Sequence, residues 1–193
     1  RGLGDVYKRQ YQDRDGYIWI PTFYGLFRYD GYEVRTYKSN LYTPGLLVNN
    51  NVLCVEEDYS HRLWIGTHEG LCMLDKRTGK MKKLQLDGVS KQRLNEIHVT
   101  KENRVYLGYI RGMAYYDEMQ DTLALMTRKN CRGDVPESVN IQTLFEDVNG
   151  DLLIGTWKDG LYRYCIKENT FLHYPPLDEE NSVLALFQDS RGV

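Results

Sequence analysis

The chain contains 193 residues, of which 41% are hydrophobic and 12% are aromatic, and its formal net charge is −2. This composition predicts a globular domain and argues against an intrinsically disordered chain. The near-neutral charge supplies no basic stripe for nucleic acid and no polybasic membrane anchor, and no apolar run approaches the roughly 20 residues that a membrane-spanning helix needs.

The first ten residues, RGLGDVYKRQ, do not share the pattern of the rest of the chain. Residues 5–10 read like the in-frame translation of a transposon adapter used in making sequencing libraries, so we expect residues 1–10 to be foreign to the fold. The sequence also stops just after a new turn, DSRG at residues 189–192. We therefore expect a piece of a larger protein, whose native residues before Tyr11 are missing or replaced.

A repeated unit starts at about residue 11. In each copy an Asp-rich turn is followed by a short strand, a glycine and a second apolar strand. The first copy occupies about residues 11–38 and reads DRDGYIWIPTFYGLFRYDGYEV over residues 13–34. Its dipeptide Asp30-Gly31 predicts a two-residue hairpin turn.

Three further copies follow at about residues 50–86, 95–127 and 139–174, and another begins at about residue 181. The second copy reads EDYSHRLWIGTHEGLCMLDKRTGKM and the fourth reads EDVNGDLLIGTWKDGLYRYCIKENTF, whereas the third is more divergent. The glycine before the second strand recurs every 42–48 residues, at Gly25, Gly70, Gly112 and Gly160. About four short strands per unit of this length are typical of a β-propeller.

We therefore predict an all-β fold, an incomplete β-propeller arc of about four four-stranded antiparallel blades plus the first strand of a fifth. The strands of each blade are called a to d in chain order. One position in strand b holds a large side chain in every blade, and we expect these side chains to pack between neighbouring blades: Trp19, Trp64, Tyr106 and Leu153.

Antiparallel strands sort the connections of a blade into two rims. Because successive strands alternate in direction, the a–b and c–d turns share one rim, and the b–c and d–a connections share the other. We call these the a–b rim and the b–c rim. The b–c rim carries the more varied side chains, and binding groups gather on loops that a rigid scaffold holds.

Aromatic and charged side chains on the b–c rim are the candidate ligand-binding residues. An aromatic ring can stack on a sugar while polar neighbours bond to the sugar hydroxyl groups. The competing interpretation is that these aromatic side chains only close the ends of the blades. The candidates are Phe23, Tyr24, His68, Glu69, Tyr109, Arg111, Trp157, Lys158 and Asp159.

The sequence contains no recognisable catalytic or metal-binding motif. Its four histidines are spread over several blades and element types, and HExxH, GxSxG and glycine-rich phosphate loops do not occur. DRDG at residues 13–16 and DVNGD at residues 147–151 resemble the start of an EF-hand loop. Position twelve of such a loop would be Tyr24 or Lys158 rather than glutamate, so both segments are interpreted as turns. No catalytic residue, metal or cofactor is predicted.

The four cysteines, Cys54, Cys72, Cys131 and Cys165, show no CxxC spacing. Cys54 on strand a and Cys72 on strand c would lie two strand spacings of roughly 4.8 Å apart, which is too far for a disulfide. We therefore predict buried free thiols.

Several segments resemble a known repeat. WIGT at residues 64–67 followed by Gly70-Leu71, LIGT at residues 153–156 followed by Gly160-Leu161, and GLFRYDGYEV at residues 25–34 are similar to two-component regulator propeller repeats. Such repeats form the periplasmic sensor region of hybrid two-component systems in Bacteroidota. The resemblance covers residues 11–193, which look like the N-terminal blades of such a sensor.

The resemblance implies a function for the complete protein. It implies a periplasmic ligand-sensing propeller of an inner-membrane hybrid histidine kinase and response regulator, which responds to oligosaccharides through a phosphorelay and controls polysaccharide-use genes. The implied partners are an oligosaccharide, the remaining blades and downstream sensor domains, and a second receptor copy in a homodimer. This chain itself is expected to be no enzyme and to make no direct contact with nucleic acid.

Two alternatives remain open. A propeller carbohydrate-active enzyme, such as a polysaccharide lyase, would need a cluster of catalytic His, Tyr or Arg residues that converges on the rim. A protein-interaction scaffold is the second alternative, because one fold can serve many functions.

Overall fold

The computed structural model describes residues 10–39, 47–86, 92–176, 178 and 182–187. Except for Gln10, the segment predicted to be foreign lies outside the described residues. Every regular element in the described part of the chain is a β-strand. No helix among these residues is long and apolar enough to cross a membrane.

The strands form four sheets that follow one another along the chain. The first blade is β1 (Tyr11–Gln12), β2 (Ile18–Thr22), β3 (Gly25–Tyr29) and β4 (Val34–Tyr37). The second is β5 (Val52–Glu57), β6 (Arg62–Thr67), β7 (Gly70–Asp75) and β8 (Met81–Leu84). The third is β9 (Leu94–Val99), β10 (Val105–Tyr109), β11 (Gly112–Asp117) and β12 (Thr122–Leu125). After β13 (Arg132–Gly133), the fourth is β14 (Ile141–Glu146), β15 (Leu152–Thr156), β16 (Leu161–Cys165) and β17 (Thr170–Tyr174).

Within each blade the four strands pair antiparallel in chain order. This arrangement confirms the predicted fold class, an all-β propeller arc of four-stranded blades. The inner strands β5, β9 and β14 contact one another in succession, so the blades are arranged around a common axis.

The fourth blade has an extra edge strand that the sequence did not predict. β13 lies in the connection between blades three and four and pairs in parallel with β17. Gly133 has a φ of 75°, and a Cβ atom at this position would collide with the backbone of Phe171. Glycine therefore allows β13 to approach the edge of blade four.

The first c–d loop is wider than the dipeptide Asp30-Gly31 predicted. Four residues, 30–33, separate β3 from β4. The Asp30 side chain accepts hydrogen bonds from the backbone N–H groups two and three residues ahead, at 2.9 and 2.7 Å. Asp75 and Asp117 accept the same pair of bonds in the next two blades. The two-residue prediction was wrong because the aspartate side chain, rather than a tight backbone turn, closes this loop.

Each pair of neighbouring blades encloses an apolar cluster that contains a strand-b side chain. Trp19 lies in the cluster between blades one and two, Trp64 in the next and Tyr106 in the third, and all three are almost completely buried. The predicted packing role of these three positions is confirmed. Leu153, at the fourth position, is half-buried and belongs to none of these clusters.

The glycine in the middle of strand b allows the next blade to approach closely. A Cβ atom on this glycine would fall within 3 Å of a residue at the start of the following unit, in the pairs Gly66 with Leu94, Gly108 with Ile141 and Gly155 with Val183. Val183 therefore lies where the inner strand of a fifth blade would begin. Residues 182–187 nevertheless form no regular strand, because the described residues contain no further strand with which they could pair.

The Asp-rich a–b turns are joined to the core by a repeated set of hydrogen bonds. The buried Asp58 side chain accepts bonds from the backbone N–H groups of Ser60 and Arg62, at 2.8 and 3.0 Å. It also accepts a bond from the indole N–H of Trp64 at 2.9 Å, and Asp13 accepts the equivalent bond from Trp19 at 2.8 Å. Each aspartate thus fixes the turn and satisfies the only polar atom of a buried indole.

All four cysteines are free thiols. Cys54, Cys72 and Cys131 are buried as predicted, whereas Cys165 is only half-buried. Burial raises the pKa of Cys72 to about 11, which keeps this thiol protonated and unreactive at neutral pH.

Candidate functional site

Contacts between connections hold the turns of both rims in place. On the a–b rim, Lys76 in a c–d turn forms ion pairs with Asp13 and Asp15 in an a–b turn. On the b–c rim, the backbone N–H of His68 donates to the carbonyl of Asn51 at 2.9 Å and ties a b–c turn to a d–a connection. The equivalent bond runs from the backbone N–H of Trp157 to the carbonyl of Asn140, also at 2.9 Å. These bonds hold the b–c turns in fixed positions.

The exposed candidates lie on the b–c rim, but in separate blades. Phe23, Tyr24 and Trp157 are 64%, 76% and 49% exposed. No ring contact joins these three side chains within the described part of the chain, and they belong to blades one and four. The charged candidates accompany them, with His68, Arg111 and Lys158 exposed and Glu69 and Asp159 half-buried.

Tyr109 is the one candidate whose expected place on the surface is wrong. It is only 2% exposed and lies in the cluster between blades two and three. Tyr109 pairs with Gly112 at the end of strand b, just as Thr67 pairs with Gly70. Thr67 is also buried, so Tyr109 occupies an inward-facing position of the repeat. The alignment of YLGY (residues 106–109) with WIGT (residues 64–67) places Tyr109 at the position of Thr67, so the sequence alone could have predicted its burial.

The turn that contains Trp157 is held by contacts among Asp159, Tyr162 and His173. The Tyr162 hydroxyl donates to Asp159 Oδ2 at 2.6 Å, and the Tyr162 ring stacks on His173 with centroids 4.2 Å apart. His173 Nε2 lies 2.8 Å from the carbonyl oxygen of Asp159, so this nitrogen carries the proton. Burial and the neighbouring Asp159 raise the pKa of Tyr162. Asp159 therefore helps to hold the turn that presents Trp157.

A funnel near the propeller axis was missed by the sequence analysis. β5, β9 and β14 each contain a β-bulge at their second residue, at Leu53, Asn95 and Gln142. A bulge redirects a side chain, and these three side chains line one cavity of about 450 Å³. Arg93 and Glu96 also line it. Bulges cannot be read from an apolar strand pattern, which is why this funnel was not predicted.

Asn95 contributes an unusual polar group to the funnel. Its amide nitrogen donates to Asn140 Oδ1 at 3.0 Å and to the carbonyl of Ile141 at 2.7 Å. Its Oδ1 atom is buried and has no hydrogen-bond partner among the described residues. A buried acceptor of this kind gains free energy when a hydroxyl or amide group donates to it.

One part of the sequence matches a family model. Residues 46–69 match the model for the two component regulator propeller. These residues are similar to a repeat of that family. The match includes WIGT and confirms the resemblance predicted from the sequence. No curated protein matches the chain.

Solved structures with the same fold include extracellular domains of two component systems and a lyase. The extracellular domain of BT3049 from B. thetaiotaomicron, classed as a hybrid two component system, has a TM-score of 0.78 at 20% identity, over 95% of this chain and 26% of that chain. The extracellular domain of BT4673 from the same organism gives 0.72 at 22% identity, over 91% and 24%. Virginiamycin B lyase from Staphylococcus aureus gives 0.73 at 9% identity, over 95% and 60%.

At these identities the likeness establishes the fold alone. The chain spans about a quarter of the length of the two B. thetaiotaomicron domains. The propeller repeat therefore accounts for the scaffold, and the chemistry of a site must be argued from the side chains of this chain.

Two glutamates on neighbouring inner strands, Glu56 on β5 and Glu96 on β9, interact, and the pKa of Glu56 is raised. Glu56 on β5 is half-buried, and the backbone N–H of Val99 donates to its carboxylate. Burial, together with the charge of Glu96, raises the pKa of Glu56 to about 8 from an ordinary value of 4.5. The folded protein therefore binds more protons than the unfolded chain between these two values, and the free energy of unfolding falls as the pH rises through this interval.

We expect Glu56→Gln to flatten this pH dependence. The amide cannot ionise, so the variant should be stabilised relative to the parent chain at pH 8 and much less so at pH 5. Urea unfolding of both proteins at the two pH values measures the difference. Glu168→Gln changes an exposed glutamate and serves as the control. If Glu56→Gln changed the free energy of unfolding by the same amount at both pH values, the raised pKa of Glu56 would be contradicted.

Proposed function

We propose that this chain is part of the extracytoplasmic ligand-sensing propeller of a periplasmic hybrid two-component receptor. In this proposal its b–c rim helps to bind an oligosaccharide, and occupancy biases a dimeric histidine kinase that controls polysaccharide-use genes. The observation that carries the proposal is the two component regulator propeller repeat at residues 46–69. The fold shared with extracellular domains of hybrid two component systems supports it.

The rim and the funnel provide suitable chemistry for a sugar ligand. Trp157 and Tyr24 expose ring faces, and the funnel offers amide and charged groups from Asn95, Gln142 and Arg93. Sugars combine apolar ring faces with many hydroxyl groups, so both kinds of contact are needed. A ligand shifts a receptor only by its different affinity for the two receptor states.

The enzyme alternative draws on the fold of virginiamycin B lyase. A lyase would need ionisable side chains that are available to a substrate. At the b–c rim of blade four, the Tyr162 hydroxyl is bonded to Asp159 and the Tyr162 ring is stacked on His173. These three groups support one another and the turn, which favours binding over catalysis. The complete gene separates the two functions, because a sensor requires a membrane helix and a kinase region after the propeller.

Replacing Trp157 or Tyr24 by alanine should weaken oligosaccharide binding roughly two- to tenfold per ring, because each change removes one stacking contact. Calorimetry with the oligosaccharide that gives the largest heat in a screen measures the affinity. Tyr32→Ala is the matched control, because Tyr32 is 96% exposed but lies in a c–d turn on the opposite rim. Unchanged affinity of a folded Trp157 and Tyr24 double variant would exclude this rim as the binding surface.

A further inference from the structure

The interfaces between successive blades can be compared position by position. In blade two, Arg62 lies four residues after Asp58 and directly precedes the core residue Leu63. In blade three, Arg104 lies four residues after Thr100 and directly precedes Val105. The register pairs Leu63 with Glu57 and Val105 with Val99, so Arg62 and Arg104 occupy equivalent places.

Arg62 is held by carboxylates at the interface between blades two and three. Its Nε atom lies 2.6 Å from the buried carboxylate of Asp58, and its Nη1 atom lies 3.2 Å from Glu118 of the next blade. The guanidinium carbon also lies 5.3 Å from the ring centre of Tyr116. This interface therefore has a paired arginine above aromatic rings.

Both carboxylates are replaced at the interface between blades three and four. Thr100 stands in the place of Asp58, and Ile166 stands two residues after Tyr164, as Glu118 does after Tyr116. The acid paired with Arg104 is Glu102, whose carboxylate lies 3.7 Å from Arg104 Nε, and both side chains are more than half exposed. Arg104 has thus kept its place in the repeat without the buried acid that holds Arg62.

A cleft opens at the same interface. It has a volume of about 780 Å³, within the roughly 300–1,000 Å³ typical of small-ligand sites, and Arg104 lies on its wall. Tyr106 stands where blades one and two have tryptophan, and its ring centre lies 6.0 Å from that of Tyr164. The equivalent pair at the preceding interface, Trp64 and Tyr116, is 4.8 Å apart. The half-buried rings of Tyr115 and Tyr116 also line the cleft.

We propose that the cleft between blades three and four binds a ring that carries a carboxylate. Arg104 pairs with the ligand carboxylate in the way that Arg62 pairs with Asp58, and the tyrosines contact the ring. An arginine fork matches a carboxylate in a bidentate geometry, and tyrosine offers an apolar ring face. Uronic acids and aromatic acids both have this chemistry.

The other acids of the cleft are already bonded. Glu118 pairs with Arg62, and the Asp117 side chain accepts bonds from the backbone N–H groups of Met119 and Gln120. Glu102 is the acid that a ligand carboxylate would displace from Arg104. This site lies on the a–b rim side of the blades, so it does not depend on the oligosaccharide site proposed for the b–c rim.

Calorimetric titration of the whole chain tests the proposal with four probes. Galacturonate and glucuronate represent uronic acids, benzoate represents aromatic acids, and galactose is the neutral reference. We expect at least one acid to bind about tenfold or more tightly than galactose, and the preferred acid identifies the ring. Equal affinity for acids and galactose, or no binding of any acid up to its solubility, would overturn the proposal.

Variants of Arg104 and of the residues next to it test the assignment of the ligand carboxylate to Arg104. Arg104→Gln should weaken acid binding about tenfold or more, whereas Glu102→Gln should strengthen it, because the competing carboxylate is removed. Arg132→Gln changes an exposed arginine on β13 and should have no effect. Thr100→Asp restores the carboxylate of the preceding interface, so it should abolish acid binding without unfolding the chain. Acid binding that survives in both Arg104→Gln and Thr100→Asp would refute the assignment to Arg104.

Discussion

Replacing Lys76 by methionine should lower the free energy of unfolding by about 3–5 kcal/mol. Lys76 Nζ lies 2.7 Å from Asp13 Oδ2 and 2.8 Å from Glu57 Oε1, and both carboxylate side chains are fully buried. Methionine has a similar length but no charge, so two buried carboxylates would lose their cation. Urea unfolding at pH 7 measures the change.

Glu118→Met is the matched control for this prediction. Glu118 occupies the position of Lys76 in the next blade, two residues after the equivalent strand-c residue, and its side chain is 68% exposed. Exposed ion pairs contribute roughly 0–1 kcal/mol, so its removal should have a small effect. If Lys76→Met and Glu118→Met lowered the free energy of unfolding by similar amounts, burial of the ion pair would not determine how much it stabilises the fold.

The repeat itself could be predicted from the sequence because it depends on local patterns. The recurring glycine, the strand-b tryptophan and the Asp-rich turn each follow from short segments, and the structure shows why each is needed. Gly70 has a φ of 138°, which favours glycine, and Asp58 accepts a hydrogen bond from the indole N–H of Trp64. Such requirements recur from blade to blade, so they remain visible in a single sequence.

The candidate site could be predicted only in part. The exposed positions of Phe23, Tyr24 and Trp157 follow from their place in short turns. Tyr109 was misplaced because an aromatic residue next to a turn suggests exposure, whereas its register in strand b directs it inward. The funnel around Asn95 and Gln142 depends on β-bulges, which result from the pairing of two strands and leave no mark in one strand alone.

Contacts between blades were the least predictable feature. Lys76 pairs with Asp13, which is far away in the sequence, and its counterparts in blades three and four are Glu118 and Ile166. One position of the repeat thus carries a cation, an anion and an apolar side chain in turn. Only the three-dimensional structure shows that these residues face the same part of the preceding blade. The buried acid that Arg104 lacks results from a separate change, the replacement of Asp58 by Thr100.

Replacing Trp64 by alanine should lower the free energy of unfolding by about 3–5 kcal/mol. Trp64 is fully buried between blades two and three, and its ring centre lies 4.8 Å from that of Tyr116. The substitution would leave a cavity, and it would also remove the indole donor of the buried Asp58 carboxylate. Thermal and urea unfolding of the parent chain and the variant measure the loss.

Trp157→Ala makes the same chemical change at a site that is 49% exposed, and it should cost less than about 1 kcal/mol. Trp64→Phe separates the two causes at the buried site, because phenylalanine keeps most of the packing but has no N–H group. Asp58 retains its bonds from Ser60 and Arg62 in that variant, so a loss of about 1–2 kcal/mol is expected. A loss for Trp64→Phe as large as that for Trp64→Ala would mean that the hydrogen bond, rather than the packed ring, holds blades two and three together.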